Sequence, residues 1–296
     1  MSTTQKTVVV LGTATPGGGF PVYGAAFADT VNETDPTLAV EQRNTKGSTE
    51  NVPLLEAGRL DIALVQGEVA HEAFSGIGRP PAKLTIVAAM YSTPGMFVVC
   101  ADSLYRRVED LRGKPVAFGA KGSGLVILSR YVLDGLGLDQ DRDFQAVYLD
   151  RAGDGPAMVL DGRTAALWGG GLGWPGFSTV AQGPVGARFI APDAAGIARI
   201  LAKHAFLKPM TVPAGAYAGL DAPLPSVGSW SFVLARPDLP DDVAYRLARA
   251  LHRGEAALAR RLPQARETTA GNTAAAAPHA NLIHSGVRRY LNELGI

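Results

Sequence analysis

The sequence predicts an α/β fold of two lobes, and three observations lead there. Short apolar, β-branched runs alternate with stretches of helical spacing. The alternation stops and starts afresh near Pro115. Two further apolar segments, Met96–Ala101 and Ser229–Ala235, stand where strands would carry the chain out of the first lobe and back again. On this reading residues 1–102 and 228–296 form lobe I, and residues 103–227 form an inserted lobe II. A chain of 296 residues has room for two such lobes.

Each element has a local reason. Thr7–Gly12 is a β-branched run that ends at glycine, which reads as a strand. Pro21–Glu33 places Val22, Ala25, Ala26 and Phe27 at helical spacing. Leu38–Asn44 alternates as a strand. Ser48 then has the chemistry of an N-cap, with Glu50 in the first turn and Gly58 as the stop. Asp61–Gln66 and Leu84–Met90 read as buried strands, completing a β-α-β-α-β rhythm that predicts parallel strands covered by helices. In the inserted lobe Pro115–Gly119, Gln145–Leu149, Ala165–Trp168 and Ala187–Ala191 read as strands and Ser123–Leu136 as a helix. The last helices begin at Asp241 and return to lobe I. Ala270–Ala277 is of low complexity and reads as a loop or weak helix.

Composition excludes several classes of function. The 28 basic and 27 acidic residues nearly cancel, which argues against a nucleic-acid partner and leaves no polybasic handle for a membrane surface. The single cysteine, Cys100, rules out an intramolecular disulfide framework and a Cys-rich zinc site. No apolar run reaches the length of a membrane span, and Thr7–Leu11 is too short for the core of a secretory signal.

Catalytic signatures fail where their chemistry is decided. Gly119 and Gly124 have the spacing of a phosphate loop, but Leu125 stands where its lysine must be. Gly12-Thr-Ala-Thr-Pro-Gly17 lacks dinucleotide-loop spacing, and there is no Gly-x-Ser-x-Gly elbow. His71-Glu72 begins like a zincin helix, yet Ser75 replaces the second histidine. The five histidines never pair at metal spacing, so no catalytic residue, metal or cofactor is expected.

The glycines are the informative residues. Gly12–Tyr23, Lys46–Asn51 and Gly119–Gly124 each join a strand to a helix. Such turns present free backbone N–H groups at the positive end of a helix, a cradle for an anion. Open α/β sheets bind ligands at these carboxyl ends. Ordinary hydroxyl-capped tight turns are the plain alternative. A fourth cluster, Leu167–Phe177, sets Trp168 and Trp174 beside flexible glycines, either as core aromatics or as an apolar wall for a ligand. Lys46 and Lys121, one per lobe, are candidates to meet an anion, and Tyr23, Tyr91 or Trp174 would shape the rest of its site. An enzyme or a sensor acting on a small carboxylate or heterocycle on the same fold is the competing reading.

The chain resembles the TAXI-type solute-binding proteins of tripartite ATP-independent periplasmic (TRAP) transporters nearly end to end. The segments that carry the likeness are Gly12–Tyr23, Gly47-Ser-Thr-Glu-Asn-Val-Pro-Leu-Leu-Glu-Ala-Gly-Arg-Leu-Asp-Ile-Ala-Leu-Val-Gln66, Val108–Gly119 with Gly122-Ser-Gly124, Val212–Tyr217 and Ile283–Gly295. The resemblance implies a type II periplasmic-binding-protein-like fold, two mixed sheets joined by two crossover strands, that closes in flytrap fashion. It implies a non-enzymatic, monomeric carrier in the periplasm, its leader removed ahead of Met1, that delivers a small organic anion such as a glutamate-like, aromatic or dicarboxylate solute to a TRAP permease. By matching position it makes Thr13, Thr15, Gly18, Tyr23, Ser48, Asn51, Gln66, Ser123 and Gly124 ligand-contact candidates. Lys46, Lys121 and the Trp168/Trp174 pair depart from the usual pattern of that family.

Overall fold

A computed structural model describes residues 6–296. In chain order the first elements are β1 (Thr7–Gly12), α1 (Gly19–Thr34), β2 (Leu38–Arg43), α2 (Ser48–Glu56), β3 (Ile62–Val65), α3 (Gly67–Ser75) and β4 (Thr85–Cys100). There follow β5 (Pro115–Ala120), α4 (Gly124–Leu136), β6 (Gln145–Leu149), α5 (Gly155–Leu160), β7 (Ala166–Gly170), α6 (Pro175–Ala181), β8 (Ala187–Ile190) and α7 (Ala194–Lys203). The chain ends with β9 (Lys208–Val212), β10 (Leu224–Ala235), α8 (Asp241–Arg261), α9 (Ala270–Ala276) and α10 (Ser285–Glu293).

The chain divides into two compact units. Among the described residues the first holds 6–14, then Phe20–Tyr91 and Trp230–Ile296; the second holds Thr15–Gly19 and Ser92–Ser229. β4 and β10 each contribute residues to both. The chain leaves the first unit after Tyr91, upstream of the 102/103 boundary that the sequence suggested, because Met90 and Tyr91 pack in the first core and Met96 onward in the second.

In the first unit β1 pairs in parallel with β2 and β3, and β10 runs antiparallel to β3. All four residues of β3 are buried, as expected of a strand covered on both faces. Tyr23, Phe27 and Val31, spaced four residues apart on α1, share a core with Val9, Leu11, Ile62 and Leu64 of the strands. Leu247 and Leu251 of α8 and Val287 and Leu291 of α10 join the same core.

In the second unit β5 lies parallel to β6 and β7, while β4 is antiparallel to β7 and β8. Successive residues of β4 serve opposite faces: Phe97 and Val99 enter one core with Phe118, Leu128 and Trp168, while Met96 and Val98 enter another with Leu167, Phe177 and Val180. That period of two explains why the strand is apolar throughout.

Most predicted elements stand within a few residues of their expected limits, and the differences have causes. Leu84–Met90 and Met96–Ala101 are parts of one strand, β4, running through Pro94 and Gly95. Gly95 has no room for a side chain, since a Cβ there would lie 2.5 Å from the Trp168 ring. Ala270–Ala276 is a helix, started by Thr269, whose hydroxyl accepts from the Asn272 N–H. Ser48 is the first residue of α2 rather than its cap; Gly47, at φ 117°, takes the cap position and offers no side chain.

Candidate functional site

In the first unit the carboxyl ends of β1, β2 and β3 meet the N-termini of α2 and α3. Four predicted site residues converge there, all buried: Thr13, Ser48, Asn51 and Gln66. Thr13 follows β1, and its N–H donates to the Arg43 carbonyl at the end of β2 at 3.0 Å. Its own carbonyl accepts from Asn51 Nδ2 at 2.8 Å and from the Thr45 hydroxyl at 3.0 Å. Asn51 Nδ2 also donates to the Leu64 carbonyl at 2.8 Å, so one carboxamide ties α2 to the ends of β1 and β3.

Ser48 Oγ accepts the backbone N–H of Gln66 at 3.0 Å. The serine thus joins two strand–helix junctions instead of capping its own helix, and its hydroxyl proton can point elsewhere. Gln66 occupies the cap position of α3 in extended conformation, again without a side-chain cap. Both helices therefore begin without a side-chain acceptor over their first N–H groups.

Two buried polar atoms here have no hydrogen-bond partner: Gln66 Nε2, a donor, and Asn51 Oδ1, an acceptor. Leaving a buried polar group unsatisfied costs about 1–3 kcal/mol. Gln66 is 4 % exposed, so bulk solvent hardly reaches it. What the arrangement offers chemically is donors: the Gln66 carboxamide N–H, the Ser48 O–H and the first N–H groups of α2 and α3. Lys46, at the lip of this turn, is exposed, and its backbone N–H is taken by Glu50 Oε2 at 2.6 Å.

Tyr23 and Tyr91 are placed elsewhere. Their rings meet edge to face at 5.4 Å within the first core, and the Tyr23 hydroxyl is 3.1 Å from that of Thr268. Burial raises the Tyr23 phenol pKa well above its ordinary value, with the Thr268 hydrogen bond opposing, and keeps it a neutral core residue.

In the second unit Ser123 is the N-cap of α4 and accepts from the Leu125 N–H at 3.2 Å, and Gly124 opens the helix, buried. Lys121 Nζ pairs with Asp150 at 3.1 Å, both side chains exposed. Thr15 Oγ1 accepts from the Ala152 N–H at 3.4 Å, while Gly18 N–H donates to the Thr15 carbonyl. Trp168 is fully buried, donating from Nε1 to the Leu125 carbonyl at 2.9 Å and packing on Phe97. Trp174 packs on Phe177 in the neighbouring core. Of the two sequence readings for these tryptophans, the buried packing matches that of core aromatics.

Glu68 was not singled out from the sequence. It lies in the first turn of α3, two residues past Gln66, and is fully buried. Its signal was position, an acid three residues past the end of a buried strand. Among the described residues no group of three or more His, Cys, Asp and Glu side chains is placed to hold a metal ion, and no helix is long and apolar enough to cross a membrane.

Residues 11–295 match the model of the NMT1-like family, and the chain belongs to that family. Three solved structures show the same fold at low identity. The alkanesulfonate-binding protein SsuA from Xanthomonas axonopodis pv. citri, bound to MOPS, is 18 % identical over 97 % of this chain and 84 % of its own, with a TM-score of 0.53. The periplasmic binding protein BugD is 12 % identical over 97 % and 94 %, with a TM-score of 0.61. The substrate binding protein of an amino acid ABC transporter is 12 % identical over 88 % and 99 %, with a TM-score of 0.54. The fold is thus the mixed α/β fold of periplasmic binding proteins.

Proposed function

We propose that this member of the NMT1-like family is an extracytoplasmic solute-binding protein that captures a small organic anion and delivers it to a membrane permease. The observation that carries the reading is the buried, unpartnered Gln66 Nε2 beside Ser48 at the uncapped starts of α2 and α3. A carboxylate oxygen would satisfy the amide donor by a charge-assisted hydrogen bond, worth about 1.5–3 kcal/mol. The donors are neutral, so they bind an anion without the desolvation cost of a buried cation.

The sequence likeness to TAXI proteins favours a TRAP-type permease, driven by an ion gradient. A named relative from an amino acid ABC transporter favours an ATP-driven one. Uptake into vesicles containing the cognate permease separates these: an imposed ion gradient suffices for the first, and internal ATP is required for the second.

The binding reading is tested by calorimetry with a panel of small carboxylates and sulfonates against the wild type, Gln66→Leu and Ser48→Ala. Wild-type binding of at least one anion is expected, with at least a tenfold loss in Gln66→Leu. Equal affinity in all three proteins would remove the site.

A further inference from the structure

The tail Ile283–Gly295, singled out by its sequence, plays no part in the proposed anion site, yet it contains a histidine with both ring nitrogens engaged. His284 is the N-cap of α10, and Nδ1 accepts the Gly286 N–H at 3.1 Å. Its Nε2 lies 3.0 Å from the Leu239 carbonyl, which can only accept, so the ring is the neutral Nε2–H tautomer. Its backbone N–H donates to the Ile86 carbonyl of β4 at 2.9 Å. One residue therefore joins the start of α10, the segment before α8 and β4. The packing is tight: a Cβ on Gly286 would lie 2.1 Å from the Asp241 carbonyl oxygen.

We infer that His284 makes the docking of α10 on α8 dependent on pH, so that the C-terminal helix is held at neutral pH and released in acid. A proton on Nδ1 removes the acceptor for the Gly286 N–H and sets two donors against each other. It also puts a positive charge at the positive end of a helix. The ring is 4 % exposed, so no solvent stabilises the cation.

The charged groups facing the ring are few. Asp241 on α8 has Oδ1 3.8 Å from Nδ1 and favours the proton, but the same oxygen is hydrogen-bonded to the Ser285 hydroxyl. Arg288 on α10 opposes the proton, and β4 presents the Ile86 carbonyl to the backbone N–H of His284. Desolvation by burial leads in holding the imidazole pKa below its ordinary value, and Arg288 adds to it; the Leu239 carbonyl and Asp241 oppose. The docked state thus binds fewer protons than the released one. Docking is complete above the ordinary imidazole range and weakens as pH falls through it. His252 also faces α10, with Nδ1 2.8 Å from the Tyr290 hydroxyl.

The test is amide hydrogen exchange of residues 287–293 in the intact protein at pH 7.5 and pH 5, corrected for intrinsic rates, with α4 amides as the reference. Protection of α10 is expected to fall by up to about 30-fold while α4 holds, as proton linkage over one and a half pH units below the ordinary imidazole pKa allows. His284→Asn, which keeps an N-cap acceptor that does not titrate, is expected to abolish the difference. Unchanged wild-type protection, or an equal fall in His284→Asn, overturns the inference. If that variant does not fold, NMR titration of the His284 ring in the wild type decides: protonation must coincide with loss of α10 protection. A ring that takes up its proton with α10 still protected overturns it. Anion affinity at pH 7.5 is independent of all these outcomes.

Discussion

Asn51→Ala should destabilise the first unit by about 2–4 kcal/mol, and the reasoning can be followed atom by atom. The lost carboxamide donates two hydrogen bonds of 2.8 Å from a residue with no exposed surface. The Thr13 carbonyl keeps the Thr45 hydroxyl at 3.0 Å, so its loss is one net hydrogen bond, about 1 kcal/mol. The Leu64 carbonyl loses its side-chain donor in a buried place, at about 1–3 kcal/mol. The unpartnered Oδ1 is removed as well, a gain of about 1–3 kcal/mol that the cavity left by the deleted carboxamide offsets. With a slope near 2 kcal/mol per molar urea, the midpoint should fall by about 1–2 M. Urea unfolding followed by circular dichroism, with amide exchange of β1 and β3 to assign the loss to the first unit, measures it. Asn51→Asp serves as the control, since it keeps the shape but turns a carboxylate oxygen toward two carbonyls and should be worse than alanine. An unchanged midpoint in Asn51→Ala, or an aspartate variant more stable than the alanine one, refutes the argument that Asn51 acts as a tie between strand ends.

Two further outcomes separate packing from binding in the second unit. Trp168→Phe removes the Nε1 bond to Leu125 and part of a fully buried side chain, so thermal unfolding should show a loss of about 1–3 kcal/mol with anion affinity within twofold; a tenfold drop in affinity would restore the wall reading. Lys121→Met removes an ion pair whose partners are 70 % and 85 % exposed, so the unfolding midpoint should stay where it is. A clear shift would mean that this pair does more than surface pairs do.

Much of the candidate site was legible because its chemistry is local. Gly47-Ser48 and Gln66 stand at the ends of runs whose apolar pattern marks buried strands, and a residue that follows such a strand must lie at its carboxyl edge. Tyr23 and Trp168 were less legible. An aromatic residue near a glycine turn has the same sequence signature whether it faces a ligand or fills a core, and only its neighbours distinguish the two. For Tyr23 these are Tyr91, Phe27 and Thr268; for Trp168 they are Phe97 and the Leu125 carbonyl. Lys121 shows the same limit, because Asp150, its partner, is separated from it by a whole helix and strand.

The order and kind of most strands and helices were determined by the sequence itself. They rest on periodicity and spacing within a few residues, which the chain carries wherever it goes. What only the tertiary structure decided is which polar groups find partners. Ser48 has the sequence of an N-cap and instead receives the Gln66 N–H; Gln66 Nε2 is left without an acceptor; His284 spends both ring nitrogens on α10 and its neighbours. A hydrogen bond between residues distant in the chain depends on distances set by the packing of whole elements. No single segment encodes them.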